Sequence, residues 1–355
     1  MDSVSSGSQE IGGREVVPAL GAIKLVALPR RAFKRALSQL AFNQRLLALA
    51  EDEACPLLEG LKILCTVSAN LDRFFEVAIA RLKSIADRSP LCAERPQATG
   101  EPFGTVARAA HELIEAQYRL FNARLLPALE ERGIRFLRRT DFTRRQSEWV
   151  RSYFFREIRP VLTPIGLDPA HPFPKVLNKS LNLAVELQGK DAFGRNCTTA
   201  IVQAPRVLPR VIRMPSEIAD IEYCFVFLSS VLHAQIDELF PGMDVAGCYQ
   251  FRVTRNRLSS VDEEDLWHTR GLRRDEPPRH GLGKAVRLEV ACNCSSRIAG
   301  FLLSEFGLKD EDLYRVDGPV NLVRLMSVPD CVERPELKFP GVTDRAEESY
   351  SDAAV

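Results

Sequence analysis

The sequence predicts an α+β protein, in which an all-helical N-terminal domain precedes a mixed α/β head domain containing a ferredoxin-like split βαβ unit. Two observations support this prediction. Over the first third of the chain, apolar residues recur at the three- and four-residue spacing of amphipathic helices. After residue 133 the spacing changes, and short β-branched or aromatic runs alternate with helical segments. The length of 355 residues is enough for two compact domains.

The predicted N-terminal domain covers residues 27–132 and contains three helices. They are expected from 32 to near Pro56, from 57 to 82 and from 105 to 131. Between the second and third helices, Pro90 and Pro102 bound a segment predicted to be a loop, because proline interrupts helices. Residues 1–26 open with small polar side chains, and we expect them to form a disordered leader.

The predicted head domain covers residues 133–340. A helix is expected at 144–158, followed by strands at 181–187 and 198–203. Six further elements are predicted at 223–227, 231–239, 248–254, 285–291, 296–306 and 312–316. Their order is β-α-β-β-α-β, which is the order of a split βαβ unit. Residues 341–355 are small and acidic, and we expect a disordered tail there.

Composition restricts the compartment and the partners. The formal net charge of +1 favours neither nucleic acid nor an anionic membrane as a partner. No apolar stretch approaches the roughly 20 residues that a membrane-spanning helix requires. The nine cysteines have no regular spacing, and no secretory signal pattern precedes them. These features predict a cytoplasmic protein with no membrane span and no nucleic-acid partner.

Several short segments could carry chemistry, but each has a simpler interpretation. The segment 281–284 precedes a strand rather than a helix, so we interpret it as a turn and not as a phosphate-binding loop. Cys292 and Cys294 lack a second pair of metal ligands, and the acidic run 262–265 lacks calcium-loop spacing. His171 lies among prolines without an identifiable acid or base partner. We therefore predict no catalytic residue and no metal ligand in this chain.

Asn70 is the residue of greatest interest, because it lies in the segment SANLDRFF within a long helical pattern. From the residues alone, the favoured interpretation is an N-cap at a helix break, since asparagine is a preferred N-cap. Asp72 would then lie near the positive end of a new helix. The alternative is a carboxamide that faces a ligand, whose donor and acceptor pair with a polar ring edge.

Nine stretches, in order between about residues 26 and 343, resemble the long-chain polyphosphate kinase family. They are 37–47 (LSQLAFNQRLL), 56–62, 68–75 (SANLDRFF), 161–174 (VLTPIGLDPAHPFP), 237–243, 251–255, 285–290, 314–319 and 334–340. Each stretch is weak by itself, whereas the ordered set is specific.

The resemblance implies that 27–132 and 133–340 match the family's N-terminal helical domain and its head domain, which takes part in dimerisation. It also implies reversible transfer of the terminal phosphate of ATP to polyphosphate through a phosphohistidine, with magnesium. Asn70 matches the family's asparagine that contacts the ATP base, which favours the ligand-facing interpretation. At three positions this chain departs from the family pattern. Gln39 replaces a usual Trp, Ala36 a usual Glu and Arg73 a usual Glu.

In the family, the phosphohistidine and its metal contacts belong to later domains that resemble phospholipase D. His171 does not match that histidine, and the Mg²⁺ ligands are expected to be absent from these residues. We therefore expect no activity without a catalytic half. The expected partners are ATP, polyphosphate, and either a second copy, a catalytic half or a full-length kinase, contacted through the head domain. The alternative is a non-catalytic dimerisation or interaction protein derived from the kinase.

Overall fold

The computed structural model describes residues 20–88, 97–167, 172–190, 198–257 and 283–340. Its helices are α1 (Leu20–Glu51), α2 (Leu57–Arg73), α3 (Ala80–Arg88), α4 (Gln97–Leu120), α5 (Leu126–Glu131), α6 (Arg144–Tyr153), α7 (Leu228–Ala234) and α8 (Ser296–Phe306). Three π-helical segments directly follow α2, α4 and α6. These segments are Phe74–Ile79, Phe121–Leu125 and Phe154–Ile158. None of the described helices is both long enough and apolar enough to cross a bilayer.

The N-terminal helices pack through apolar faces whose spacing the sequence predicts. On α2 the buried face consists of Leu58, Leu61, Leu64 and Leu71, which recur at the helical period. α1 begins at Leu20, within the predicted leader, so this helix starts earlier than predicted. Unlike the polar residues 1–10, the segment 20–26 contains leucine, alanine, isoleucine and lysine, which favour helix or tolerate it well. Residues 1–19 lie outside the described part of the chain.

Two β-sheets form the rest of the described structure. The strands are β1 (Ile134–Leu137), β2 (Pro164–Gly166), β3 (Asn182–Gln188), β4 (Thr199–Gln203), β5 (Val211–Arg213), β6 (Tyr223–Phe227), β7 (Asp244–Arg255), β8 (Ala285–Ala291) and β9 (Leu313–Val316). The larger sheet has the order β2-β4-β3-β7-β8-β9, and its only parallel pair among the described strands is β8 with β9. α8 connects these two strands, as a parallel crossover requires.

The α+β class is confirmed, but the predicted split βαβ unit does not form. Its first strand, β6, belongs to a separate three-stranded sheet of order β1-β6-β5. All five residues of β6 are buried, as expected for a strand covered on both faces. β1, which the sequence reading missed, is its parallel partner, with Ile134 opposite Tyr223. The order of elements along the chain does not determine which strand edges meet, and this is why the prediction was wrong.

Candidate functional site

A groove with a volume of about 620 Å³ lies between α1 and the junction of α2 with its π-helical continuation. The α1 side chains along it are spaced by three or four residues, which places them on one face of that helix. The groove is lined by Arg35, Ser38, Gln39, Phe42, Asn43, Arg45, Asn70, Arg73, Phe74, Val77 and Ala78.

Asn70 lies inside α2, so its interpretation as an N-cap is wrong. The helix does not break there, because the backbone continues through Arg73 into the π-helical segment. Asn70 Nδ2 donates a hydrogen bond to Asn43 Oδ1 over 2.9 Å, and Asn43 Nδ2 donates to the backbone oxygen of Gln39 over 2.9 Å. This chain of bonds fixes the Asn70 amide. It leaves Asn70 Oδ1 and the second Nδ2 hydrogen without a partner among the described residues.

The groove combines positive charge with apolar surface. Arg35, Arg45 and Arg73 line it and are all exposed, whereas no aspartate or glutamate is among the lining residues. Phe42 is 49% exposed and Val77 is 38% exposed, so apolar surface is open to a ligand here. A carboxamide, an aromatic ring and guanidinium groups together suit a ligand with a flat polar ring and an anionic portion.

Behind the groove, a buried ionic cluster joins α2 to the larger sheet. Asp72 contacts Arg252 of β7 and Arg287 of β8, with N to O distances of 3.1 and 2.5 Å. Glu289 of β8 contacts both arginines, and Arg287 Nη2 lies 3.1 Å from Glu289 Oε2. Each of the four side chains is less than a tenth exposed. Two positive and two negative charges balance, as a buried cluster requires.

The electrostatic environment keeps Asp72 ionised. Burial alone would raise the pKa of its carboxyl group. The guanidinium groups of Arg252 and Arg287 outweigh that effect, so the pKa of Asp72 lies below its ordinary value. The Arg287 guanidinium also lies over the Phe75 ring, 4.3 Å from its centroid, and its Nε and Nη2 donate to Thr254 Oγ1.

One turn further along, Glu76 attaches the π-helical segment to the loop that precedes β3. Its Oε1 accepts a hydrogen bond from Asn178 Nδ2 over 2.8 Å and lies 2.7 Å from Lys179 Nζ. Lys179 has a positive φ of 57°, which is uncommon for a residue other than glycine. The contacts of Asp72, Phe75 and Glu76 therefore hold the helix that carries Asn70 against the sheet.

The other segments considered from the sequence do not gather into a site. His171, the acidic run 262–265 and the first two residues of 281–284 lie outside the described part of the chain. Cys294 is buried, and the exposed thiol of Cys292 has Asp317 Oδ1 at 3.8 Å. Among the described residues, no group of three or more His, Cys, Asp or Glu could hold a metal ion. The oxygen ligands of the described residues therefore do not form a Mg²⁺ site.

The sequence reading missed most of the groove. Asn43, Arg35 and Arg45 were not singled out, although polar and basic residues at helical spacing on α1 could have indicated a polar helix face. The ionic cluster was also missed, because its members lie far apart in the sequence: Asp72 and Arg287 alone are separated by 215 residues. Such a cluster leaves no local signal in the sequence.

Residues 32–137 match the family model described as the polyphosphate kinase N-terminal domain, and residues 145–328 match the polyphosphate kinase middle domain. The chain belongs to the polyphosphate kinase family. A polyphosphate kinase of Neisseria meningitidis is 54% identical over 311 residues, which cover 87% of this chain and 45% of the relative. That of Paraburkholderia phytofirmans is 49% identical over 306 residues, or 86% of this chain and 44% of the relative.

A crystal structure of polyphosphate kinase from Porphyromonas gingivalis has the same fold. It matches with a TM-score of 0.69 at 23% sequence identity, over 86% of this chain and 42% of that structure. This polyphosphate kinase family chain thus spans a little under half the length of the relatives that it matches. The resemblance inferred from the sequence motifs is confirmed.

Proposed function

We propose that this chain is the nucleotide-side portion of a polyphosphate kinase and that its groove binds the base of ATP through Asn70. The name of its relatives implies ATP and polyphosphate as substrates of the whole kinase. The single observation that carries the proposal is the Asn70 amide, which Asn43 orients while one acceptor and one donor have no partner in the described part of the chain. An adenine edge offers one donor and one acceptor side by side, which is the complementary pattern.

The remaining groove residues support the same ligand. Phe42 offers an exposed aromatic ring against which a base can pack. Arg35, Arg45 and Arg73 offer positive charge to phosphate groups. The described residues contain no cluster for Mg²⁺, and more than half of each relative's length has no counterpart in these 355 residues. We therefore propose that these 355 residues alone bind ATP without forming polyphosphate, and that activity requires a catalytic half.

Titration calorimetry with ATP and GTP tests the proposed base contact. Asn70→Ala should weaken ATP binding about tenfold, the size expected when a buried or half-buried hydrogen-bonded group is lost. The preference for ATP over GTP should shrink as well, since the contact reads the base edge. Asn293→Ala is the matched control, because Asn293 is exposed and lies outside the groove. Unchanged ATP affinity in Asn70→Ala, together with a large fall in melting temperature, would give Asn70 a structural role only.

A second candidate function is a non-catalytic interaction protein that pairs through the head domain, with a second copy or with a full-length kinase. Exposed apolar side chains favour it, since Val207 is 82% exposed and Phe339 is 57% exposed. Light scattering of Val207→Asp and Phe339→Asp beside the unmodified chain tests the idea. Dimers that dissociate in these variants support pairing, whereas monomers at every concentration argue against self-association. Mixing with a matching catalytic half and measuring polyphosphate synthesis separates the two candidates.

A further inference from the structure

A second, smaller pocket lies between the two sheets and the segment 319–325, away from the groove. Its cavity volume is about 30 Å³. Four cationic residues line it, and no aspartate or glutamate does. These residues are Lys179, Arg210, Arg252 and Arg324.

Two of these cations are neutralised elsewhere. Lys179 pairs with Glu76, and Arg252 pairs with Asp72 and Glu289. Arg210 and Arg324 have no ion pair with any residue that the structure describes. Arg324 is exposed at the pocket rim, whereas Arg210 is partly buried. The pocket therefore carries positive charge that protein carboxylates do not balance.

The hydrogen bonds of Arg210 leave two of its guanidinium hydrogens without an acceptor among the described residues. Nη1 donates to the backbone oxygens of Pro205 and Leu208, and Nη2 donates to that of Ala204 over 3.1 Å. The Nε hydrogen and the second Nη2 hydrogen have no acceptor among the described residues. Nε and Nη2 form the planar fork with which arginine binds two oxygens of a carboxylate or phosphate. The three backbone bonds hold that fork in place.

We propose that this pocket is an oxyanion site that takes a phosphate group, either free orthophosphate or the end of a polyphosphate chain, between Arg210 and Arg324. The site lies apart from the groove and does not depend on the binding of a nucleotide there. It supplies the guanidinium group of Arg210, held by its backbone hydrogen bonds, and the exposed charge of Arg324 at the rim.

Electrostatics and unsatisfied polar atoms support this assignment. Burial and the neighbouring charges of Arg324 and Arg206 lower the pKa of Arg210 to about 10, so a bound anion would relieve the repulsion among three cations. Gln250 Oε1 and Asn321 Oδ1 are buried without a donor in the described structure, and both residues line the pocket. A hydrogen phosphate O–H or a bound water can supply that donor, whereas sulfate carries no proton at neutral pH.

Calorimetric titration of the 355-residue chain at constant ionic strength tests the site, with orthophosphate, tripolyphosphate and sulfate as probes. Arg324→Gln should weaken tripolyphosphate binding about tenfold, and Arg324→Glu should abolish it, because charge-assisted bonds to the anion are lost. Arg324→Glu should also keep or raise the melting temperature, since it places a carboxylate beside Arg210. Arg145→Gln is the matched control, because Arg145 is exposed and lines neither pocket. The affinity of this variant for tripolyphosphate should differ from that of the unmodified chain by less than about twofold.

The probes separate the sources of the anion. Binding of orthophosphate in preference to sulfate supports a site for a single phosphate group, and much tighter binding of tripolyphosphate supports a chain end. Equal affinity of Arg324→Gln and Arg145→Gln for every probe would overturn the proposal, as would the absence of binding to the unmodified chain. Titration of Arg324→Gln with ATP distinguishes the two sites, because the affinity of the Asn70 groove for ATP should not change in this variant.

Discussion

Asp72 of α2 and Arg287 of β8 form a buried ion pair in which Oδ1 and Nη2 are 2.5 Å apart. The pair joins the helix of the groove to the six-stranded sheet across 215 residues of sequence. Asp72 follows Asn70 by two residues, so both lie on the same helical turn. Asn70 lines the groove on one side of that turn, and Asp72 contacts the sheet on the other. The orientation of Asn70 therefore depends on a contact between α2 and the larger sheet.

Removing the charge of Asp72 should destabilise the protein strongly. Asp72→Asn leaves Arg252 and Arg287 with Glu289 as their one counter-charge among the described residues. Breaking a buried pair costs about 3–5 kcal/mol. Urea denaturation should show this loss in the free energy of unfolding. Asp330→Asn is the control, since Asp330 is exposed, and it should change stability by less than about 0.5 kcal/mol. A loss below 1 kcal/mol in Asp72→Asn would contradict the importance of the cluster.

The same pair predicts a dependence on pH. The pKa of Asp72 is lower in the folded protein than its ordinary value of 3.8. Its ionised form therefore stabilises the fold above pH 4, and this contribution is lost as the pH falls through the lowered pKa. The difference in unfolding free energy between the unmodified chain and Asp72→Asn should be constant near neutral pH and shrink below about pH 4. A constant difference down to pH 2 would be inconsistent with the lowered pKa.

His233 on α7 predicts a second loss of stability in acid. Burial, and then the nearby charge of Arg139, lower its pKa from 6.5 to about 4. The unfolded chain therefore binds a proton first, and stability falls as the pH decreases from 6.5 to about 4. The loss should reach about 3 kcal/mol at most. His233→Gln should flatten the curve of unfolding free energy over this range, and parallel curves would count against the shift.

Gly318 should not tolerate a side chain. Its φ is +147°, and an added Cβ would lie 3.3 Å from the Tyr118 ring, whose hydroxyl donates to Pro319 O over 2.7 Å. Gly318→Ala should lower the free energy of unfolding by about 1–3 kcal/mol. Gly300→Ala is the opposite case, since Gly300 is exposed within α8 and an added Cβ meets nothing within 4 Å; it should stabilise by about 0.5–1 kcal/mol. Equal effects of the two changes would refute this reading.

Arg45 should contribute to nucleotide affinity through long-range charge. It is exposed at the groove, so Arg45→Gln should weaken ATP binding only about threefold at low salt, as expected for a screened interaction. The difference should vanish at about 0.5 M salt, where exposed charges are largely screened. Arg145→Gln should behave as the unmodified chain at both salt concentrations. A threefold difference that persists at high salt would point instead to direct packing of the Arg45 side chain.

Local patterns predicted individual elements well and their assembly poorly. The predicted helix 296–306 coincides with α8, whose limits are set by the Ser295 cap and by Gly307 with its φ of 61°. Both signals lie within a few residues of the helix. By contrast, Arg287 and Glu289 alternate along β8 as charged residues also do on the solvent-exposed face of a strand. Only the approach of α2, from far along the chain, makes that face a buried one.

For the same reason, the sequence could suggest Asn70 but not its surroundings. The motif around Asn70 was informative through family resemblance. The preference of asparagine for the N-cap position instead favoured a cap that does not form. The π-helical segment that continues α2 has no simple sequence signature. Asn43, which orients the Asn70 amide, lies 27 residues earlier on another helix.

The contact between Cys65 of α2 and the segment after β9 has a consequence for biosynthesis. The Cys65 thiol donates to the backbone oxygen of Leu322, 257 residues later, so this side of α2 is covered only after residue 322 has been made. At about 5–20 residues per second, a ribosome needs roughly 13–50 seconds to make that intervening stretch. During this interval the apolar surface of α2 that this segment covers stays exposed. The helical domain is thus made well before the segment that completes its packing.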